Sequence, residues 1–323
     1  IAIGQDALLG GTLAGSDDVA NNIAIGSYAL DATATNPQGG TIAIGHQNLT
    51  SLTSGLRNTA IGYQSAYYNA TGSDNTYLGY WAGSGTSGSH SNNVGIGSSA
   101  LGVVSSGGFN TAIGKSAAGA LTTGANNVMI GAVCGDAIVD GNNHVLIGVG
   151  AGGNGDITND GQTAVGHTAL HSLTDGAGNT AIGYQSAYAL TTSGYNTAVG
   201  YQALKTNDTG EKCVAVGYQA MATHKGSFNV AIGYQAMDDT DAGGNAETGQ
   251  HNVFIGTHSG GGSWGNTGTS NFNIGIGSNT LDDALDDADG NLAIGHQAAS
   301  SVTTGIHNLC LGYQSGGSNL TQT

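Results

Sequence analysis

Small, branched apolar and polar residues recur along this chain in a fixed order rather than in blocks. The stretch Asn179–Leu204 reads NTAIGYQSAYALTTSGYNTAVGYQAL, with its two core glycines, Gly183 and Gly200, 17 residues apart. Taking that glycine as the marker, the pattern occurs 18 times from Gly4 to Gly312, mostly at intervals of 17 or 18 residues. One residue before the marker stands Ile, Val or Leu, as at Ile61, Ile113, Val165 and Leu311. Two before, Ala predominates (Ala60, Ala112, Ala181, Ala293), and three before, Thr, Val or Ile. Four before, Asn prevails: Asn58, Asn75, Asn110, Asn127, Asn179, Asn196, Asn229, Asn252, Asn291 and Asn308 among others. A second glycine often lies seven before, as at Gly55, Gly124 and Gly210.

This alternation predicts a short strand in each unit, with Thr/Val and Ile on one face and Ala and Gly on the other. Helix is disfavoured, because Gly makes up 59 of 323 residues and each costs about 1 kcal/mol in a helix interior. One unit cannot bury its own apolar face, whereas stacked copies can. The expected fold is therefore all-β: a parallel β-solenoid (β-roll or β-helix) of about 18 coils with a repeat of about 17 residues. At a strand spacing of about 4.8 Å it would form a rod of roughly 85 Å. Residues 1–323 then make a single repeat domain, a piece of a longer chain. The Asn positions should stack as a ladder. The longer units should carry their extra residues, Asp238–Gln250, Gly260–Ser270 and Leu281–Gly290, as surface loops. The Ala/Gly face lets another backbone approach closely, either the opposite wall of the same coil or a neighbouring chain about a threefold axis. The Ile position is expected in the core, so that Ile182→Asp would break a coil.

Charge narrows the partners. With 5 Lys+Arg against 21 Asp+Glu the net charge is −16, which speaks against nucleic acid and against anionic membrane surfaces. No apolar run is long enough for a membrane-spanning helix. Cys134, Cys213 and Cys310 occupy different positions in their units and read as buried small residues rather than disulfide partners. Four Asn-x-Ser/Thr sequons occur, at Asn48, Asn69, Asn207 and Asn319.

Chemistry is sparse. No metal-binding or nucleophile motif is present, and His167 and His171, four apart, mean little on strands, so no enzymatic activity is expected. Asp238, Asp239 and Asp241 form one acidic group; Asp282, Asp283, Asp286, Asp287 and Asp289 form a second, the better candidate for Ca²⁺. The spacing of neither matches a known calcium loop, so no cofactor is expected. Tyr63-Gln64, Tyr184-Gln185, Tyr201-Gln202, Tyr218-Gln219 and Tyr234-Gln235 would stack into a stripe, either a structural ladder or a surface that docks sugars. Binding of ice through the Thr positions is a third reading.

The unit NTAIGYQAL, a Thr-Thr-Gly turn and another NTAIGYQ resembles repeats of bacteriophage tail-fibre-like proteins and of large extracellular proteins of aquatic bacteria. Its Asn-x-Ala-Ile-Gly core is also similar to the β-roll head of trimeric autotransporter adhesins. The resemblance covers essentially the whole chain, and the period departs from the shorter adhesin unit. It implies a homotrimer, intertwined or side by side, in an extracellular or virion appendage. That fibre segment would present or contribute to host-surface attachment through a glycan or protein receptor. The alternatives are an adhesin head that binds a cell surface directly, an ice- or polysaccharide-binding solenoid, and a polysaccharide-cleaving spike. The spike would need paired carboxylates in a groove, which the loops do not supply.

Overall fold

The structure is a computed structural model and describes residues 1–9, 21–32, 39–86, 88–153, 155–238, 249–262, 264, 269–283 and 285–317. The chain is an all-β parallel solenoid, with no helix among the described residues. It divides into two compact units, 1–162 and 163–323. The first carries nine strands, β1 (Ala2–Ile3) to β9 (Val145–Ile147), and the second nine more, β10 (Thr163–Val165) to β18 (Leu309–Leu311). Within each unit, strands pair in parallel with the same position of the next coil: Thr180 faces Thr197, Ala181 faces Ala198, and Ile182 faces Val199.

The core lies inside each coil, on the Ala side of the strand. Ala181, Ala198 and Ala215 are fully buried, whereas Ile182 is 40 % exposed. This corrects the expectation that the Ile position fills the core. Of the two partners considered for the Ala face, the opposite wall of the same coil is the one present within the chain. Volume explains the choice. The residue two before the glycine shares its space with the residue four after it. Where the first is Ala, the second can be Leu or Met, as in Ala24/Leu30, Ala164/Leu170 and Ala215/Met221. Where the first is large, the second is Gly: Tyr77/Gly83, Met129/Gly135, Leu146/Gly152 and Phe254/Gly260. The two aromatic residues also find Gly at the same strand position of the next coil, Gly95 and Gly275. A Cβ on Gly83 would run into the Tyr77 ring, and one on Gly260 into Phe254. Such interlocking of large and small residues is how interiors reach close packing.

The marker glycine follows from the coil spacing. Gly200 has φ +140°, and a Cβ there would collide with the carbonyl oxygen of Gly217 in the next coil. Between strands the chain is mostly turns. Left-handed φ values recur two and four residues after the marker, for instance at Gln202 (φ 55°) and Leu204 (φ 54°), and five before it, at Lys212 (φ 55°). Such conformations cost L-residues roughly 1–2 kcal/mol each. Backbone bonds between coils hold them: Gln202 N–H donates to the Tyr184 carbonyl at 2.9 Å and Leu204 N–H to the Ala220 carbonyl at 3.0 Å.

Two of the expected surface loops reach the interior. Trp264 is 1 % exposed, donates its ring N–H to the Gly260 carbonyl at 3.2 Å, and packs edge-on against Phe254 and His224. Leu285 and Ala288 are likewise buried. These insertions contribute apolar groups that fill the coil, which corrects their reading as purely surface segments. In the third loop, residues 239–248, with Asp239 and Asp241, lie outside the described residues.

Candidate functional site

The Asn positions are buried, and their amides tie each coil to the next. Asn110 Oδ1 accepts from the backbone N–H and the Nδ2 of Asn127, both at 3.0 Å, and its own Nδ2 donates to the Gly124 carbonyl at 2.8 Å. Asn58 does the same for Asn75 and Gly72. In the second unit Asn179 accepts from Asn196 N–H, Asn196 from Cys213 N–H, Asn229 from Asn252, and Asn291 from Asn308. The main link is side-chain oxygen to backbone N–H, with amide-to-amide bonds added in only some steps. The side-chain donor reaches the turn carbonyl of the following coil, which Ser193 supplies to Asn179 as well as glycine does elsewhere; a Cβ on the second glycine, as at Gly124, would meet the carbonyl oxygen of Gly141 in the next coil.

Other residue types take over the column where Asn is absent. Cys213 donates its thiol to the Gly226 carbonyl at 3.2 Å, and burial pushes its pKa up to about 11. His144 accepts from Gln162 N–H at 3.2 Å through Nδ1, its Nε2 has no hydrogen-bond partner, and burial pushes its pKa down to about 4. His90 and His224 are also buried and held at about 4 by loss of solvent. Cys134, Cys213 and Cys310 are free and buried.

The Tyr-Gln stripe stands on the outside, beside the aliphatic column. Tyr184, Tyr201, Tyr218 and Tyr234 stack face to face with centroids 5.1–5.2 Å apart, and His167 stacks on Tyr184. Tyr63 stacks between His46 and Tyr80 in the first unit. The glutamines form a parallel chain: Gln64 to Gln47 at 2.7 Å, Gln202 to Gln185 at 2.9 Å, Gln219 to Gln202 at 3.2 Å and Gln235 to Gln219 at 3.3 Å. Ring faces inside the stack are covered by the neighbouring rings, so only ring edges and hydroxyls meet solvent there. A sugar could not lie flat on them.

The acidic loop brings no cation cage together. Asp282 accepts from Asn279 Nδ2 at 2.7 Å, and burial raises its pKa; Asp289 accepts from Asn271 N–H at 2.6 Å. No group of three His, Cys, Asp or Glu able to hold a metal ion occurs among the described residues. Three of the four sequons are interior: Asn48, Asn69 and Asn207 are fully buried, and Asn207 accepts from Gly210 N–H at 2.6 Å. Asn319 lies outside the described residues.

One surface feature is absent from the sequence reading. In the first unit the Tyr-Gln stripe stops after Tyr80-Trp81, and the next coils offer Ser98-Ser99, Lys115-Ser116 and Ala132-Val133. The missing bulk leaves a groove of about 600 Å³ lined by Trp81, Ser99, Gly102, Ser116, Gly119 and Asp136 among others. The signal was present as the gap in an otherwise regular column. A scan of the chain against protein-family models finds no match, and comparison with curated proteins finds none either.

Proposed function

We propose that the chain is a structural shaft segment of an extracellular or virion appendage, assembled as three copies and contributing to attachment at a host surface. The observation that carries this reading is the uncovered outer face of the strands. Ile182, Ile232, Ile276 and Ile294 are 37–40 % exposed, and they stand beside the exposed Tyr column. Monomeric proteins rarely leave long apolar stripes in water, and such a stripe is the natural contact for further copies of the same chain. The repeated resemblance to tail-fibre-like units supports the same assembly. So does the internal regularity, in which the buried Asn column and the outer Gln chain serve coil-to-coil contact.

Light scattering on the native protein tests the reading. The expected mass is three times the chain's 31.7 kDa. A mass of one chain at all concentrations overturns the assembly and favours a monomeric solenoid that binds its target through its surface.

A further inference from the structure

We infer that the groove beside Trp81 is a binding site for a neutral saccharide chain. Trp81 occupies the position that Gln holds in eight of the 18 coils. Its ring N–H donates to Gln64 Oε1 at 2.7 Å, and its ring lies nearly parallel to that of Tyr80, with centroids 5.9 Å apart. The indole is thus held in one orientation, yet it is 42 % exposed. The following coil offers only Ser99 where another coil would place Gln, so the indole side facing that coil borders open space. A fixed, solvent-facing indole is a platform for the C–H face of a pyranose. Between Tyr184 and Tyr218 in the second unit the ring faces are covered by one another.

The floor is made small by side-chain choice, not by backbone need. Gly102 and Gly119 are outside the left-handed region, and a Cβ there would meet the carbonyl of Ser99 at 3.1 Å and of Ser116 at 3.2 Å. The equivalent positions of other coils carry Tyr67, Tyr188 and Lys205. Backbone amides along the floor are already engaged: Ser99 N–H donates to the Tyr80 carbonyl and Ser116 N–H to the Ser98 carbonyl, both at 2.8 Å. An extended peptide therefore finds no free strand edge to pair with. The groove is lined by Val103, Ala120 and Val139 beside Ser99, Ser116 and Thr122, so its wall is mainly apolar with hydroxyls at intervals, and Asp136 is the charged residue of a lining without Lys or Arg. That charge suits a neutral ligand rich in hydroxyl donors and opposes an anionic one. The volume lies within the range of about 300–1,000 Å³ usual for small-ligand sites. This inference is independent of the shaft reading: it can fail while the mass measurement stands, and the reverse.

The test uses the chain's two tryptophans, Trp81 and the buried Trp264. The native protein is titrated with cellohexaose, chitohexaose and mannohexaose to millimolar concentration, reading tryptophan emission and heat. At least one sugar is expected to give a saturable change. The variants Trp81→Gln and Ser99→Gln restore the residue that other coils carry and so keep the fold, which circular dichroism checks. Each is expected to weaken binding roughly tenfold or more, the usual consequence of losing a central aromatic anchor or its access. No saturable signal with any of the three sugars overturns the assignment. So does binding that is equally tight in both variants, which would place the sugar elsewhere on the surface.

Discussion

Replacing Asn110 by Ala measures what one rung of the asparagine column contributes. The side chain is 2 % exposed and makes three bonds: from Asn127 N–H, from Asn127 Nδ2, and to the Gly124 carbonyl. Asn127 Nδ2 keeps a second partner, the Gly141 carbonyl at 2.8 Å. Truncation therefore leaves the Asn127 backbone N–H and the Gly124 carbonyl each without this bond, in a place closed to solvent. An unsatisfied buried group costs about 1–3 kcal/mol, so the expected loss is about 2–6 kcal/mol. Asn308 sits in the last described coil, where its Oδ1 serves no further Asn, so Asn308→Ala should cost less than about 1 kcal/mol. Stacked coils need not unfold in one step, which makes a local measurement preferable to a single melting point. Hydrogen exchange at the Asn127 amide reports the opening free energy directly. Exchange from Asn127 unchanged in Asn110→Ala, or a loss no greater than in Asn308→Ala, refutes the idea that these amides hold the coils together.

Two further consequences are open to direct measurement. Burial holds His90, His144 and His224 near pKa 4, against 6.5 in a free side chain. The unfolded chain then binds more protons between those values, so stability is complete above pH 6.5 and is lost as pH falls towards 4, by about 1.4 kcal/mol per pH unit for each histidine. Urea unfolding across this window should show the slope, and His144→Asn, which restores the amide of the column, should reduce it; an equal slope in that variant contradicts the cause. The paired volumes inside the coil predict that Gly83→Leu, whose new side chain meets the Tyr77 ring, destabilises strongly, by several kcal/mol or about that scale. The double variant Tyr77→Ala with Gly83→Leu recreates the Ala/Leu pair of other coils and should recover most of the loss in thermal unfolding; an additive, deeper loss would contradict the pairing.

Much of this fold was legible in the sequence because its period is a physical repeat. Strand position, parallel register and the Asn column all follow from the spacing of Gly, Ile and Asn. The inside of the coil was not legible. Alternation separates Ala181 from Ile182 but does not say which faces inward, and the usual preference for burying Ile points the wrong way. The deciding fact is the space shared with Leu or Met four residues after the glycine, a contact no strand period reveals. The left-handed turns were hidden for a related reason. Gln202, Leu204 and Lys212 adopt φ values that sequence rules reserve for Gly or Asn, and bonds between coils hold them there. Trp264 was misplaced because an insertion rich in Gly and Ser reads as solvated loop. The Trp81 groove was not legible because a periodic pattern carries what recurs, whereas this feature is a gap in the column.

The inward Ala column and outward Ile column underlie the core, the outer stripe and the proposed assembly, and one pair of neighbouring variants tests them most directly. Ala181→Asp and Ile182→Asp differ by a single position on one strand. The account predicts that Ala181→Asp, which puts a carboxylate into a fully buried site, unfolds its coil or fails to yield folded protein, whereas Ile182→Asp keeps the circular dichroism of a folded solenoid and weakens only the association of copies. The reverse outcome, with Ile182→Asp disruptive in a single folded chain and Ala181→Asp tolerated, would turn the coil inside out and contradict the structure described here.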